Sequence, residues 1–416
     1  MTASAVVDRD TDERAAGSLP GHLARIGRPA ATFLGPVVVL DAVLGFSLMF
    51  VMHNVTPKLP GGVLTALAVA LVGAVRRPVL TIQWGGLLTL CTTSILVFLV
   101  VESMHNHMPW AQRITKFVIL AVASATVATG RIEPRSLIAG GGFGALVNVL
   151  LWMAQVAPDP YHPYLTGFYG DKNVAGMYYA LWGVLGLMLF RTNRSRVIWG
   201  ALFAALLFAT GSRTAMGGYI LALLWALLRN RVGLTFRLVL SALGFWLLTY
   251  AVTNFAESSA FGDRQGTDWY RHQIELAMAA KVAVTPWYGL GLTQGVVTLD
   301  GVRDAFFHDS YQQAFVEGGY PFLWGTLVLF VVVGLGLFSS RVRVPPPLLI
   351  SEAGIIVILV CAWKLGEVFM TLGAFLTLAL CIAYRLGRDI DPNDDLSTFE
   401  HVGSSARPPM PPGGTS

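Results

Sequence analysis

A histidine and three arginines are the residues of this chain best suited to chemistry. His308 stands in Phe306-Phe307-His308-Asp309-Ser310-Tyr311, among aromatic residues just ahead of an apolar run. An imidazole in such a place can act as a general base near neutral pH. Arg213, in Ala209-Thr210-Gly211-Ser212-Arg213-Thr214-Ala215, sits between two short apolar runs. Its planar fork matches the oxygens of a phosphate better than a lysine would, and an ionisable group in such apolar surroundings is costly unless it has a partner or a task. The segment Gly262-Asp263-Arg264-Gln265-Gly266-Thr267-Asp268-Trp269-Tyr270-Arg271-His272 adds two guanidinium groups beside Trp and Tyr, a combination suited to an interface that faces a phosphorylated headgroup. Each of these has a plainer alternative: Arg213 snorkelling to headgroups, His308 as a hydrogen-bonded structural residue, and the loop as a solvated segment with ordinary ion pairs.

The elements that must position these groups are apolar. The 416 residues are 54% hydrophobic and only 13% charged, far from the quarter charged that soluble domains carry. An all-α polytopic membrane protein is expected. Apolar runs near 32–52, 61–75, 79–101, 114–129, 136–157, 174–190, 197–210, 214–228, 238–253, 321–338, 348–363 and 367–384 suggest about twelve transmembrane helices, several of them shorter than the roughly 20 residues of an untilted span.

Basic residues gather at alternate run ends. Arg76 and Arg77, Arg131 and Arg135, Arg191 to Arg196, Arg229 to Arg237, Arg341 and Arg343, and Arg385 and Arg388 would fall on one side. Sparser Lys58, Arg113, Lys116, Lys172, Arg213 and Lys364 would fall on the other. By the positive-inside rule both termini are then cytoplasmic and the long polar segment 254–320 is extracytoplasmic. The net charge of +5 is accordingly topogenic and gives no reason to expect nucleic acid.

Residues 1–30 and 389–416 are expected to be disordered cytoplasmic tails around a membrane domain at 31–388, with no cleavable signal peptide ahead of it. Thr267 to Val284 has helix-compatible composition ended by Pro286, so a short amphipathic helix along the membrane surface is expected, with Arg271 and Glu275 one turn apart. Glycines such as Gly140-Gly141-Gly142 read as helix-packing positions. Cys91, Cys361 and Cys381 all lie in apolar runs, which excludes a disulfide framework. His105-Asn106-His107 lacks a local carboxylate and is weak as a metal site. Of the intramembrane charges, Asp41 is expected to lie deep, with Lys364 and Glu367 at the edge of the last two runs.

Four segments, in order, resemble the O-antigen ligase and polymerase superfamily of polyprenyl-linked glycan transferases. Gly170-Asp171-Lys172-Asn173-Val174-Ala175-Gly176 resembles the Asn-containing start of a middle span, and Gly211-Ser212-Arg213-Thr214-Ala215 the Ser-Arg motif at a span end. Arg264 followed by Trp269, then Thr285-Pro286-Trp287-Tyr288-Gly289-Leu290-Gly291, resembles the pattern of the large external loop. His308-Asp309-Ser310-Tyr311 with Glu317-Gly318-Gly319 resembles the closing motif. Two departures stand out. Asp309 replaces the usual Asn, and the Arg264 to Trp269 spacing is one residue long, which leaves Arg271 as an alternative loop arginine.

The resemblance implies transfer of a glycan from a polyprenyl diphosphate carrier to the hydroxyl of a glycan, lipid or protein acceptor at the outer face of the plasma membrane, with no metal or other cofactor. It makes Arg213 with Arg264 or Arg271 the diphosphate clamp and His308 the base, oriented by Asp309 or Glu317. Asn173, Tyr169 and Tyr311 become candidate sugar contacts. Ligase and polymerase differ only in acceptor and are not separated by these residues. The rival from another class is a polytopic transporter or lipid-linked glycan flippase, which predicts ionisable groups at mid-membrane positions.

Overall fold

A computed structural model describes residues 38–56, 59–239, 241–244, 265–299, 303–339 and 343–390. Residues 1–37 and 391–416, and with them nearly all of both expected tails, lie outside the described residues, as do Arg264 and the side chain of Arg271.

The fold is almost entirely helical. In chain order the helices are α1 (Val39–Phe46), α2 (Gly61–Ala74), α3 (Gly85–His105), α4 (Ala111–Ala128), α5 (Pro134–Met153), α6 (Lys172–Leu185), α7 (Asn193–Ala209) and α8 (Arg213–Leu228). They continue as α9 (Leu234–Gly244), α10 (Gln265–Val284), α11 (Ser310–Leu327), α12 (Pro346–Ala362) and α13 (Leu372–Leu386). Three two-stranded antiparallel pairs complete it: β1 (Asn54–Thr56) with β2 (Leu59–Pro60), β3 (Leu80–Ile82) with β6 (Gly387–Asp389), and β4 (Val296–Leu299) with β5 (Arg303–Phe306).

Among the described residues four helices are long and apolar enough to cross a membrane: α3, α4, α5 and the stretch Ser310–Gly334 formed by α11 and a π-helical turn. The twelve spans expected from hydropathy are therefore not supported. Backbone punctuation shortens the other runs. The 61–75 and 214–228 runs become helices of 14 and 16 residues, and Thr371 caps a fresh helix within the last run by accepting from the Ala374 N–H. Such helices reach about 21–24 Å at ~1.5 Å per residue, short of a ~30 Å hydrocarbon core.

The core is centred on α6, whose residues Val174 to Leu185 are buried without a break. A helix buried on every face has no amphipathic stripe to reveal its orientation. Glycine permits the closest contacts. A Cβ at Gly140 of α5 would overlap the Ala42 carbonyl of α1, and one at Gly45 of α1 would overlap the Leu137 carbonyl, so these backbones touch directly.

Pairings along the helices sort their ends. Lys116 meets Glu367 and Ser124 meets the Phe375 carbonyl, so α4 runs parallel to α13. Trp225 meets Glu352 while Gly218 lies against Val360, so α8 and α12 are antiparallel. Arg76, Arg131, Arg229, Arg237 and Arg385 consequently collect at one end of the bundle. Arg113, Lys116, Lys172, Arg213 and Lys364 collect at the other, the partition expected from their alternation.

Asp41 is not a deep lone charge. It is fully buried but receives Arg76 Nη1 at 2.7 Å and the Glu133 N–H at 2.7 Å, at the end where α1 starts. A second carboxylate with no exposure, Glu352 of α12, is held by Arg385 Nη2 at 2.8 Å, Trp225 Nε1 at 3.1 Å and Arg229 Nε at 3.2 Å.

Candidate functional site

The four motif segments meet as two pairs at the Arg213 end. In the first pair the start of α6 packs on the start of α8. Asp171 caps α6 by accepting from the Asn173 and Val174 N–H groups, which turns Asn173 toward α8, and Ser212 Oγ donates to Asn173 Oδ1 at 3.4 Å. Gly176 is needed there because a Cβ would overlap Ser212. Gly211, at φ +65°, lets the chain turn into α8 beneath the ring of Tyr164, and Lys172 Nζ lies 4.7 Å from the centre of that ring. Arg213 is the first residue of α8 and is half-buried. Helices α6, α11 and α13 receive side-chain caps from Asp171, Asp309 and Thr371, whereas α8 begins at Ser212 without one.

The second pair is the Trp287–Gly291 turn with the Glu317-Gly318-Gly319 break in α11. Gly319 takes φ +61° two residues before Pro321, which has no N–H to offer the helix, and α11 kinks here. The turn fills the gap: Leu290 N–H donates to the Val316 carbonyl at 2.7 Å and Tyr320 N–H to the Trp287 carbonyl at 2.8 Å. Gly289 and Gly291, both at φ +99°, give the turn its path. The expected helix in this region is present as α10. Its Ile274 and Met278 join Val297 and Ala305 of the β4–β5 hairpin, together with Phe307 and Val316, in a small separate core. The loop is thus a packed cap on the helices. Glu275 pairs with Lys364, at 3.3 Å.

A network of charges around the buried Glu317, unforeseen in the sequence, holds the second pair to the bundle. Arg113 of α4 binds both oxygens of Glu317, with Nη2 to Oε1 at 2.8 Å and Nε to Oε2 at 3.2 Å, and also reaches Glu367. Lys116 Nζ binds Glu367 Oε2 at 2.9 Å. Burial alone would raise the Glu367 carboxyl, but Lys116 and Arg113 outweigh it and hold the group well below the usual carboxylate range. Lys281 of α10, donating to Gln294 Oε1 and the Val296 carbonyl, is lowered by burial, opposed by the charge of Glu317. The signals in the sequence were Arg113 and Lys116 one turn apart, and Lys364 with Glu367 between two apolar runs.

The segment from Trp363 to Met370 packs against the start of α11, beside the second pair. Ser310 Oγ donates to the Leu365 carbonyl at 2.5 Å and accepts from the Val368 N–H at 2.9 Å, and the Glu367 N–H donates to Gln313 Oε1 at 2.9 Å. A Cβ at Gly366 would overlap the carbonyl of Phe307, so the segment lies directly against the residue before His308. The antiparallel register of α8 and α12, carried a further turn and a half, brings Arg213 to the level of the same segment. Arg213 and His308 thus lie at one end of the bundle.

The remaining candidates divide. Asp309 caps α11, accepting from the Tyr311 and Gln312 N–H groups at 2.8 and 2.9 Å, and burial raises its carboxyl. Its described bonds therefore serve the helix start, and those of Glu317 serve Arg113. Tyr311 donates to the Leu359 carbonyl at 2.8 Å. Tyr169 has no exposure and stacks on Tyr178 at 5.2 Å, which makes it a core residue. Among the described residues no group of three His, Cys, Asp or Glu side chains could hold a metal ion. No family model matches the chain, and no curated protein matches it.

Proposed function

We propose that this chain is a membrane glycosyltransferase of the O-antigen ligase and polymerase kind, moving a glycan from a polyprenyl diphosphate to an acceptor hydroxyl. The observation that carries this reading is the assembly of four segments, far apart in sequence, as two pairs at one end of an apolar bundle. The bundle sits in the plasma membrane with its arginine-rich end and both termini cytoplasmic, and the Arg213 end faces outward.

Diphosphate is already a good leaving group, so the protein has two tasks: to stabilise the charge that grows on it and to take a proton from the acceptor. Arg213, at the start of a helix with no side-chain cap, meets the first, because its guanidinium and the positive end of the helix dipole favour the same anion. Arg264 or Arg271 closes on the diphosphate from the loop. His308 takes the acceptor proton as the acceptor oxygen bonds to the anomeric carbon and the carbon–oxygen bond to phosphate breaks. Asn173 and Tyr311 are the candidate sugar contacts; the burial of Tyr169 leaves it a supporting role.

Reconstitution with a defined polyprenyl diphosphate glycan and candidate acceptors tests this. His308→Ala and Arg213→Ala are expected to lower transfer at least 10²-fold, in the range of a lost general base or oxyanion donor. Full transfer by both variants overturns the mechanism, and abolition by a chelator replaces it with a metal-dependent one. Comparing Arg264→Ala with Arg271→Ala assigns the loop arginine. The rival reading, transport of a lipid-linked glycan without bond-making, predicts ionisable groups at mid-membrane positions, whereas the buried Glu317 and Glu352 are held by the arginines of the two ends. Translocation of the intact donor without any transfer product would establish it.

A further inference from the structure

At the end of the bundle opposite Arg213 lies a cluster of buried arginines. Glu352 is surrounded by Arg229, Arg237 and Arg385, three cations around one carboxylate, with Arg229 and Glu352 at 0% exposure and Arg237 at 1%. Arg237 uses one nitrogen, Nη2, to donate to the Ser339 carbonyl at 2.8 Å. Its Nε and Nη1 are buried with no hydrogen-bond partner among the described residues, and so is Nε of Arg385. Buried guanidinium N–H groups left without an acceptor are destabilising, and an anion would satisfy them.

A cavity of about 250 Å³ lies directly beside this cluster, between α8, α9, α11 and α12. Its lining is apolar, Leu221, Leu224, Val331, Leu335 and Ile356 among others. Three contacts join it to the charges. Trp225 lines the cavity and donates its indole N–H to Glu352. The turn bearing Leu335 and Leu337, which also line it, gives its Gly334 carbonyl to Arg385 and presses Gly336 on the Arg385 guanidinium. Ser241 lines it one helical turn beyond Arg237, and its buried Oγ has no partner either.

We infer that this is a binding site for an anionic phospholipid, with the phosphate on the open N–H groups of Arg237 and Arg385 and an acyl chain in the cavity. An amphiphile is the occupant that meets both observations at once: an apolar space of several methylene groups whose lining residues touch a cluster that holds unsatisfied cationic donors. A basic pocket between membrane helices suits this ligand class. The cavity reaches as far as Tyr311 and Trp363, but the inference does not depend on glycan transfer.

The test is thermal unfolding of the purified, delipidated full chain in detergent, with phosphatidylglycerol, phosphatidylcholine or inorganic phosphate added, alongside native mass spectrometry for retained lipid. Phosphatidylglycerol at a hundredfold its dissociation constant is expected to raise the folded-to-unfolded ratio about a hundredfold. Phosphatidylcholine and phosphate are expected to give less than a tenth of that gain. Arg237→Gln should abolish the preference for phosphatidylglycerol, and Leu335→Trp, which fills the cavity, should weaken retention of the lipid while leaving Arg237 in place. Equal stabilisation by phosphatidylcholine, stabilisation by phosphate alone, or no lipid effect on the wild-type protein would overturn the inference.

Discussion

Removing Arg113 should loosen the candidate site from below. Its guanidinium makes a two-point bond to Glu317, which is 2% exposed, and a further bond to Glu367. Glu367 keeps Lys116 at 2.9 Å if Arg113 is lost, but Glu317 keeps only the Gln313 side-chain amide at 3.5 Å. Arg113→Met therefore strands a buried carboxylate, a change that costs about 3–5 kcal/mol and lowers the folded-to-unfolded ratio by roughly two to three and a half decades. Glu317→Gln removes a charge and leaves Arg113 bound to Glu367, and should cost no more than about 2 kcal/mol. The double variant should be more stable than the sum of the two losses implies, with a coupling of about 2 kcal/mol. Equilibrium unfolding in mixed micelles, followed by tryptophan fluorescence, measures all three. A loss below about 1 kcal/mol for Arg113→Met, the size of an exposed ion pair, or strict additivity in the cycle, would refute the reasoning.

Gly319→Ala places a Cβ on the Trp287 carbonyl at a positive φ and should cost at least about 2 kcal/mol, with the Leu290 and Tyr320 amides losing hydrogen-exchange protection. Gly86→Ala, where no atom lies within 4 Å of the added Cβ, should be neutral or slightly stabilising in the same measurements. Because Lys116 and Arg113 depress Glu367, its contribution to stability is present above its ordinary value near 4.5 and is lost as pH falls toward the lower folded value. Melting temperature should thus drop on acidification in the wild-type protein and less so in Glu367→Gln. Trp225→Phe removes the indole donor to Glu352 and should cost about 1–3 kcal/mol, read as a lowered melting temperature in detergent.

Much of the site's composition was legible in the residues, because its local chemistry is written locally. The turn at Trp287–Gly291 follows from Pro286 and its two glycines, the cap at Asp171 from an Asp ahead of an apolar run, and the break in α11 from Gly318, Gly319 and Pro321. The basic residues sorted themselves by end because run lengths alone alternate the direction of the chain. Other features could not be read this way. Glu352 is a single charge inside an apolar run, and whether it faces lipid, water or arginine depends on helices that start more than a hundred residues earlier. Tyr169 sits among site-like neighbours yet packs inward, because Tyr178 of α6 offers it a stacking face.

By itself the sequence determined that the chain is helical and apolar, which end of each helix carries positive charge, and where its turns fall. These follow from composition, periodicity and backbone chemistry within a few residues. The tertiary structure alone decided that Asn173 meets Ser212 beside Arg213, and that the Trp287–Gly291 turn plugs the α11 kink. It also decided that Arg113 holds Glu317 and that three arginines surround Glu352. Such contacts join residues 26 to 204 positions apart, and they form only where tertiary packing brings polar groups within hydrogen-bonding distance of one another.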